Sequence, residues 1–180
     1  NGIQQDKKWT QIAKDAVLFQ VYTTDQYNQR LFPSLNKWID PTRPNRQHTQ
    51  GQRDYILMRL ADAYLIRAEA NLKQGNTAQA AEDLNVIRRR GAWDGKEAAM
   101  EITAAEVNID FILDERAREL VGEGHRWFDL VRTNKLIDRV KAHNLDAMNN
   151  IQSYHVLRPI PLDQIDRTEG GYSQNPGYTQ

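Results

Sequence analysis

The sequence contains no cysteine. That absence removes disulfides, thiolate zinc ligands and cysteine nucleophiles together, and it leaves the redox compartment open, since secreted proteins also do without the residue. Net charge is missing too: 24 Lys and Arg stand against 24 Asp and Glu. The strongly basic footprint of a nucleic-acid-binding domain is thereby excluded. No apolar run approaches the roughly 18 residues of a membrane-spanning helix, and Asn1 to Trp9 lacks the pattern of a signal peptide. The histidines His48, His125, His143 and His155 include no pair at zinc-binding spacing, so neither a metal site nor a cofactor is expected. The first residue is Asn1 rather than Met, and a mature or excised fragment is expected, with any lipid anchor or targeting segment upstream.

What is present suffices for one full domain. A chain of 180 residues can bury about 70% of its unfolded surface without covalent staples. Residues 1–54 are polar and aperiodic, broken by Pro33, Pro41 and Pro44, with Trp9, Phe19, Tyr22, Tyr27, Phe32 and Trp38 scattered among them. This reads as an irregular, loop-rich segment. Such a length far exceeds the usual connection of about 4 to 6 residues, so the segment is expected either to pack on a further part of the protein or to carry a binding surface.

From Tyr55 the texture changes, and residues 55–180 form a second, helical region. Leu57, Leu60, Ala61, Tyr64, Leu65, Ala68 and Leu72 recur at helical spacing up to Gly75, a residue suited to the left-handed turn that ends a helix. Asn76 with Gln79 reads as a capping pair for a second helix, whose stripe is Ala80, Ala81, Leu84 and Ile87 and whose end is Arg88 to Gly91. The two form an antiparallel hairpin that follows the tetratricopeptide pattern at Tyr64, Ala68, Gly75, Ala80 and Leu84, with Arg67 and Asn71 in place of an apolar and an aromatic residue. A single repeat leaves a flank uncovered. Leu57, Leu65 and Leu72 are therefore expected to face a missing N-terminal half or a second chain.

A third helix is expected to open at Thr103, with Glu106 completing a capping box, and to run through Ile109, Ile112, Leu113, Ala117, Leu120 and Val121 to a break at Gly122-Glu123-Gly124. A short helix over His125 to Thr133 follows, then a weakly helical stretch from Asn134 to Asp146. The tail is extended around Pro159 and Pro161 and ends in turn-forming residues. The fold class is mostly α, a tetratricopeptide-like helical hairpin plus further helices, with long irregular loops.

Arg116 falls within the apolar stripe of the third helix, so its guanidinium points inward and needs acceptors, with Glu119, Glu123 and Asp129 as candidates. Carboxylates here could be read as a glycosidase pair. Their interleaving with arginine favours an ionic network that locks the helix–break–helix corner, and no catalytic residue is assigned. The aromatics of the irregular segment are the better functional lead, because planar rings on loops stack on sugar faces while Asn, Gln and Arg supply hydrogen bonds. Trp9, Tyr22 and Tyr27 are the expected ligand-binding residues. Phe32 and Trp38, beside prolines, are expected to anchor the loop instead.

Several segments carry a family resemblance: Leu31-Phe32-Pro33 with Lys37-Trp38 and Asp40-Pro41; Arg53-Asp54-Tyr55 and Met58 to Leu65; Ala68-Glu69-Ala70; and Ala80 to Leu84-Asn85 with Ile87-Arg88. To these are added Ile112 to Arg116 with Glu119-Leu120, Glu123 to Arg132, Ile160-Pro161, and Gln174-Asn175-Pro176-Gly177-Tyr178. Together they resemble the C-terminal region of the SusD/RagB family over roughly residues 31 to 178. The resemblance implies a surface-exposed outer-membrane lipoprotein that captures glycans or peptides above a TonB-dependent, SusC-like transporter, in a family not known for enzymes. It also implies that the motif residues are scaffold and that the family's N-terminal half has no counterpart here. A helical-repeat interaction scaffold and, further off, a carbohydrate-active hydrolase are the alternative readings.

Overall fold

The computed structural model describes residues 22–28, 30–33, 35, 37–45 and 47–179. The chain divides into two compact units, Asn1–Arg53 and Asp54–Gln180.

In the first unit the described residues form turns held by side chains. Thr23 and Gln26 close a 3-10 turn over Thr24–Gln26: the Gln26 side-chain oxygen accepts from Thr23 N at 3.0 Å and from Thr23 Oγ1 at 3.1 Å. Asn28 extends this turn, its Oδ1 accepting from Arg30 N at 2.9 Å and Leu31 N at 3.2 Å while its backbone pairs with Leu31. Farther along, buried Asp40 gathers the loop around itself. One carboxylate oxygen accepts from Thr42 N at 2.9 Å and Thr42 Oγ1 at 2.6 Å, the other from Gln52 N at 2.9 Å. Gly51 sits against it so closely that an added Cβ would stand 3.2 Å from Asp40 Oδ2. Phe32, expected to be an anchor, is 63% exposed in this structure, whereas Trp38 is half-buried.

The second unit is built on the hairpin of α1 (Leu60–Lys73) and α2 (Thr77–Gly91). Gly75, at φ 81°, lets the chain reverse, and Asn76 N donates to Asn71 O at 2.9 Å across the turn. Asn76 takes the N-cap position of α2, but its side chain makes no capping hydrogen bond. Ala68, Ala80 and Ala81 are buried at the crossing, where small side chains permit close approach, and Leu65, Leu84 and Ile87 fill the space around them. Each fully buried leucine contributes about 1.5 to 3 kcal/mol relative to exposure. Leu65 is 0% exposed, so the expectation that it faces a further chain is corrected. Leu65 lies instead in the core cluster with Leu84, Ile87 and Ile112.

Helix α1 starts at Leu60, later than the apolar pattern suggests. Arg59 is extended at φ −136° and ψ 166°, and Leu57 and Leu60 are exposed rather than packed. Arg67 and Asn71, the two departures from the repeat pattern, both turn to buried Asp83 on α2. Arg67 Nε donates to its two oxygens at 3.0 Å each, and Asn71 Nδ2 donates at 3.2 Å. A polar clamp thus stands where the pattern has an apolar contact.

Past the short α3 (Glu97–Met100), the capping box of Thr103 and Glu106 forms as the sequence predicts, but it closes only a 3-10 turn over Ala104–Glu106. The third long helix, α4 (Ile109–Glu119), begins later, with Asn108 as its true cap accepting from Phe111 N at 2.9 Å. Two caps lie five residues apart, and buried Ile102, just before the first, and Val107, just before the second, fix this strap of residues 102–107 to the core. Asn85 pins this strap, its Oδ1 accepting from Ile102 N at 2.9 Å and its Nδ2 donating to Ile102 O at 3.0 Å.

Gly122 at φ 77° and Gly124 at φ 82° break the chain before α5 (Arg126–Arg132). Asn134, at φ 56°, ends α5 in a left-handed cap, with Lys135 N donating to Leu130 O at 2.8 Å, and α6 (Leu136–His143) follows. Leu113, Leu130 and Leu136 form a second buried cluster.

The tail adds a 3-10 turn over Ser153–Val156 and α7 (Leu162–Asp166). It closes on itself through the Gln-Asn-Pro-Gly-Tyr run. Gln174 accepts from Ile160 N at 2.7 Å and donates to Ile160 O at 2.8 Å, Asn175 Nδ2 donates to Arg158 O at 2.7 Å, and Tyr178 OH donates to Leu157 O at 2.7 Å. The fold is mostly α: among the described residues there are seven α-helices and no strand longer than an isolated bridge. None of the described helices is long and apolar enough to cross a membrane.

Candidate functional site

Arg116 is 4% exposed and stands at the centre of an ionic corner. Helical spacing turns it inward from α4, and its Nε donates to Asp129 Oδ2 on α5 at 2.6 Å. Its Nη1 lies 2.8 Å from Asp62 Oδ1 on α1, close enough for strong attraction but not aligned as a hydrogen bond. Asp62 has no place in the sequence-based candidate set, and Glu119 and Glu123 turn elsewhere. Arg59, just ahead of α1, holds both: its Nη1 is 2.5 Å from Glu119 Oε1, and its Nε donates to the two Glu123 oxygens at 2.9 and 3.0 Å.

The network continues outward. Arg132 bonds Asp129 at 2.7 Å and Glu69 at 2.6 Å, and Lys73 adds a second cation to Glu69 at 2.7 Å. Burial works to raise the Glu69 pKa, but the hydrogen bonds from Arg132 and Lys73 outweigh it and hold the carboxyl down to about 2. The Arg132 guanidinium is correspondingly stabilised in its charged form by Glu69.

Two clefts flank this corner. One, of about 490 Å³, runs between α1 and α5, with the Asp62–Arg116–Asp129 cluster beneath and Ile66 and Phe128 on its rims. The other, of about 350 Å³, lies against the glycine break and is lined by Arg116, Leu120, Gly124, His125, Arg126 and Trp127. Chemically the corner is a set of carboxylates already held by cations. A carboxyl held near pKa 2 is no proton donor at neutral pH, so Glu69 lacks the raised pKa of a glycosidase acid. Among the described residues, no group of three or more His, Asp or Glu is arranged to hold a metal ion.

The residues nominated from sequence lie in the other unit. Tyr27, 41% exposed, caps the 3-10 turn held by Thr23 and Gln26, and Tyr22 precedes the same turn, half-buried. Trp9 lies outside the described residues. In the same unit, the hydrogen bonds from the Thr42 hydroxyl and the Gln52 amide hold the Asp40 carboxyl down to about 2.

A mostly helical scaffold, with a tetratricopeptide-like hairpin and a corner locked by arginine–carboxylate pairs, is the class that fold and site define. The chain belongs to the SusD family, whose sequence profile matches residues 20–178. It is similar to the starch-binding protein SusD of Bacteroides thetaiotaomicron, with 38% identity over 155 residues, covering 81% of this chain and 26% of that protein. It is also similar to a SusD-like protein of Formosa agariphila, 35% identical over 129 residues, covering 65% of this chain and 24% of the relative. The chain thus spans about a quarter of the length of these curated relatives.

Proposed function

We propose that this chain forms part of a surface-exposed outer-membrane lipoprotein that captures glycans, or peptides, without covalent chemistry and delivers them to a TonB-dependent, SusC-like transporter. The observation that carries this reading is the SusD family match over residues 20–178, together with a starch-binding relative 38% identical to the chain. The hairpin and the ionic corner of residues 55–180 serve as scaffold, beside an N-terminal half of the kind the longer relatives possess. Residues 1–54 present the ligand-facing surface, with Trp9, Tyr22 and Tyr27 as stacking residues. The exposed Tyr27 ring, on a turn stiffened by Gln26 and Asn28, supports that assignment. The neutralised carboxylates of the ionic corner support binding over hydrolysis.

Calorimetry with soluble starch, and a glycan array for other sugars, tests the proposal. Capture without product release is expected, and replacing Trp9, Tyr22 and Tyr27 together by Ala is expected to abolish it. Release of shortened sugars would establish a hydrolase. Absence of any glycan or peptide binding would leave the interaction-scaffold reading, and unchanged binding in the triple variant would remove these three residues from the site.

A further inference from the structure

In the unit Asp54–Gln180 arginine is almost always matched to an acid. Ten of its twelve arginines have a carboxylate oxygen within 4.0 Å. Arg126 and Arg158 have none among the described residues, and both stand at Trp127. The Arg158 guanidinium carbon lies 4.9 Å from the centroid of the Trp127 ring, a cation–π contact, and Arg126 and Trp127 line the same 350 Å³ cleft.

Arg126 spends one donor, Nη1 to Leu113 O at 2.7 Å, and the rest of its fork has no acceptor among the described residues. Burial and the nearby Arg139 both weaken its hold on its proton, and the acids that favour the charge are engaged elsewhere. Asp114 is bound by Arg139 at 2.5 Å, and Asp129 is divided between Arg116 and Arg132. Positive charge therefore remains uncompensated in a cleft that also offers an indole. Its volume falls at the small end of the range for ligand pockets, on the order of 300 to 1,000 Å³.

We propose that this cleft is an anionic-sugar subsite, taking a sugar residue that bears a carboxylate, as a hexuronate does. The carboxylate accepts from the remaining donors of Arg126; Arg158, stacked on Trp127 beside the cleft rather than lining it, adds positive charge; and Trp127 offers an apolar surface to the CH groups of the ring. An arginine fork suits a planar carboxylate better than a point cation would. The choice of a sugar as carrier of the charge rests on the glycan-capture reading; the requirement for an anion rests on the unmatched guanidinia alone.

Titration calorimetry of the full chain with sodium glucuronate, glucose, glucose 6-sulfate and inorganic sulfate tests the assignment. Saturable glucuronate binding is expected, with glucose at least about tenfold weaker, and Arg126→Gln and Arg158→Gln should each weaken glucuronate by about tenfold. Because Arg126 also holds the Leu113 carbonyl, each variant is first checked by thermal melting. Should Arg126→Gln unfold, Arg158→Gln decides, since that substitution removes a cation–π contact only. Equal affinity for glucose and glucuronate, or glucuronate binding untouched by Arg158→Gln, overturns the proposal. Tighter binding of glucose 6-sulfate overturns the carboxylate assignment, and inorganic sulfate binding as well as glucuronate reduces the cleft to a simple ion site. Starch binding that persists while glucuronate fails leaves the glycan-capture function standing and removes only this subsite.

Discussion

Arg116 and Asp129 share a 2.6 Å hydrogen bond across the glycine break, each with a side chain no more than 5% exposed. A guanidinium so placed holds α4 against α5 and, through Asp62, draws in α1. Removing it strands two buried acids, only one of which keeps another cation, in Arg132. Arg116→Ala should cost about 3 to 5 kcal/mol, read as a lowered midpoint in urea. A loss below about 1 kcal/mol, the scale of an exposed pair, would show that the corner does not depend on this residue.

Acid should weaken the same corner. The folded Glu69 pKa of about 2 lies below the ordinary 4.5, so its contribution is complete above the unfolded value and disappears as pH falls through the folded one. Stability should therefore drop between about pH 4.5 and 2. Glu69→Gln should flatten that part of the profile while lowering stability at pH 7. A wild-type profile with the same acid slope as the variant would contradict the coupling of Glu69 to Arg132 and Lys73.

Gly177 allows no side chain. Its φ is 90°, and an added Cβ would stand 2.3 Å from Tyr154 Cγ. Gly177→Ala must displace the Tyr154 ring, which packs edge-on against Tyr178 at 5.0 Å. A cost of about 2 kcal/mol or more is expected, with the Tyr178 ring resonances shifted in NMR spectra. An unchanged melting temperature and unchanged Tyr178 signals would show that the tail does not rely on this approach.

Asn134 tests the cap of α5. Its φ of 56° is tolerated by Asn and Gly but strains other residues, so Asn134→Ala should cost about 1 kcal/mol while Asn134→Gly leaves stability nearly unchanged. Equal melting temperatures for the two variants would contradict a left-handed cap in solution.

The clamp of Asn85 on Ile102 should be worth more than its two hydrogen bonds suggest, because both partners are buried. Asn85→Ala leaves a backbone N–H and C=O unsatisfied and should cost about 2 to 4 kcal/mol. Amide exchange at Ile102 should accelerate in step. Retained protection there would mean that the strap is held by apolar packing alone.

The helices of the second unit were legible because their buried faces repeat at 3.6 residues, and Ala68, Ala80 and Leu84 pack as that period requires. Boundaries were harder where two signals competed. The box at Thr103 and Glu106 is real but serves a 3-10 turn, and Asn108 starts the helix. The start of α1 was obscured because Leu57 and Leu60 continue its apolar pattern, while the extended Arg59 is committed to Glu119 and Glu123. Burial of Arg116 followed from its stripe, but Asp62 did not: a partner 54 positions earlier leaves no mark in local spacing. The amide clamps at Asn85 and Gln174 have no period at all. The unmatched state of Arg126 and Arg158 can be recognised only when every other arginine of this unit has been placed beside its acid.

The separations bridged by the corner also set an order in time. The Arg116–Asp129 contact closes a segment of 13 residues, whereas Arg59 must find Glu123 across 64. By loop-closure entropy the longer contact costs about 1.4 kcal/mol more to nucleate, so the bend at the glycine break is expected to form before the segment ahead of α1 docks. The Arg59 fork is then a late bolt on a corner already formed. On opening, this fork is expected to part before the Arg116–Asp129 bond, leaving Glu119 to Arg90 at 2.5 Å.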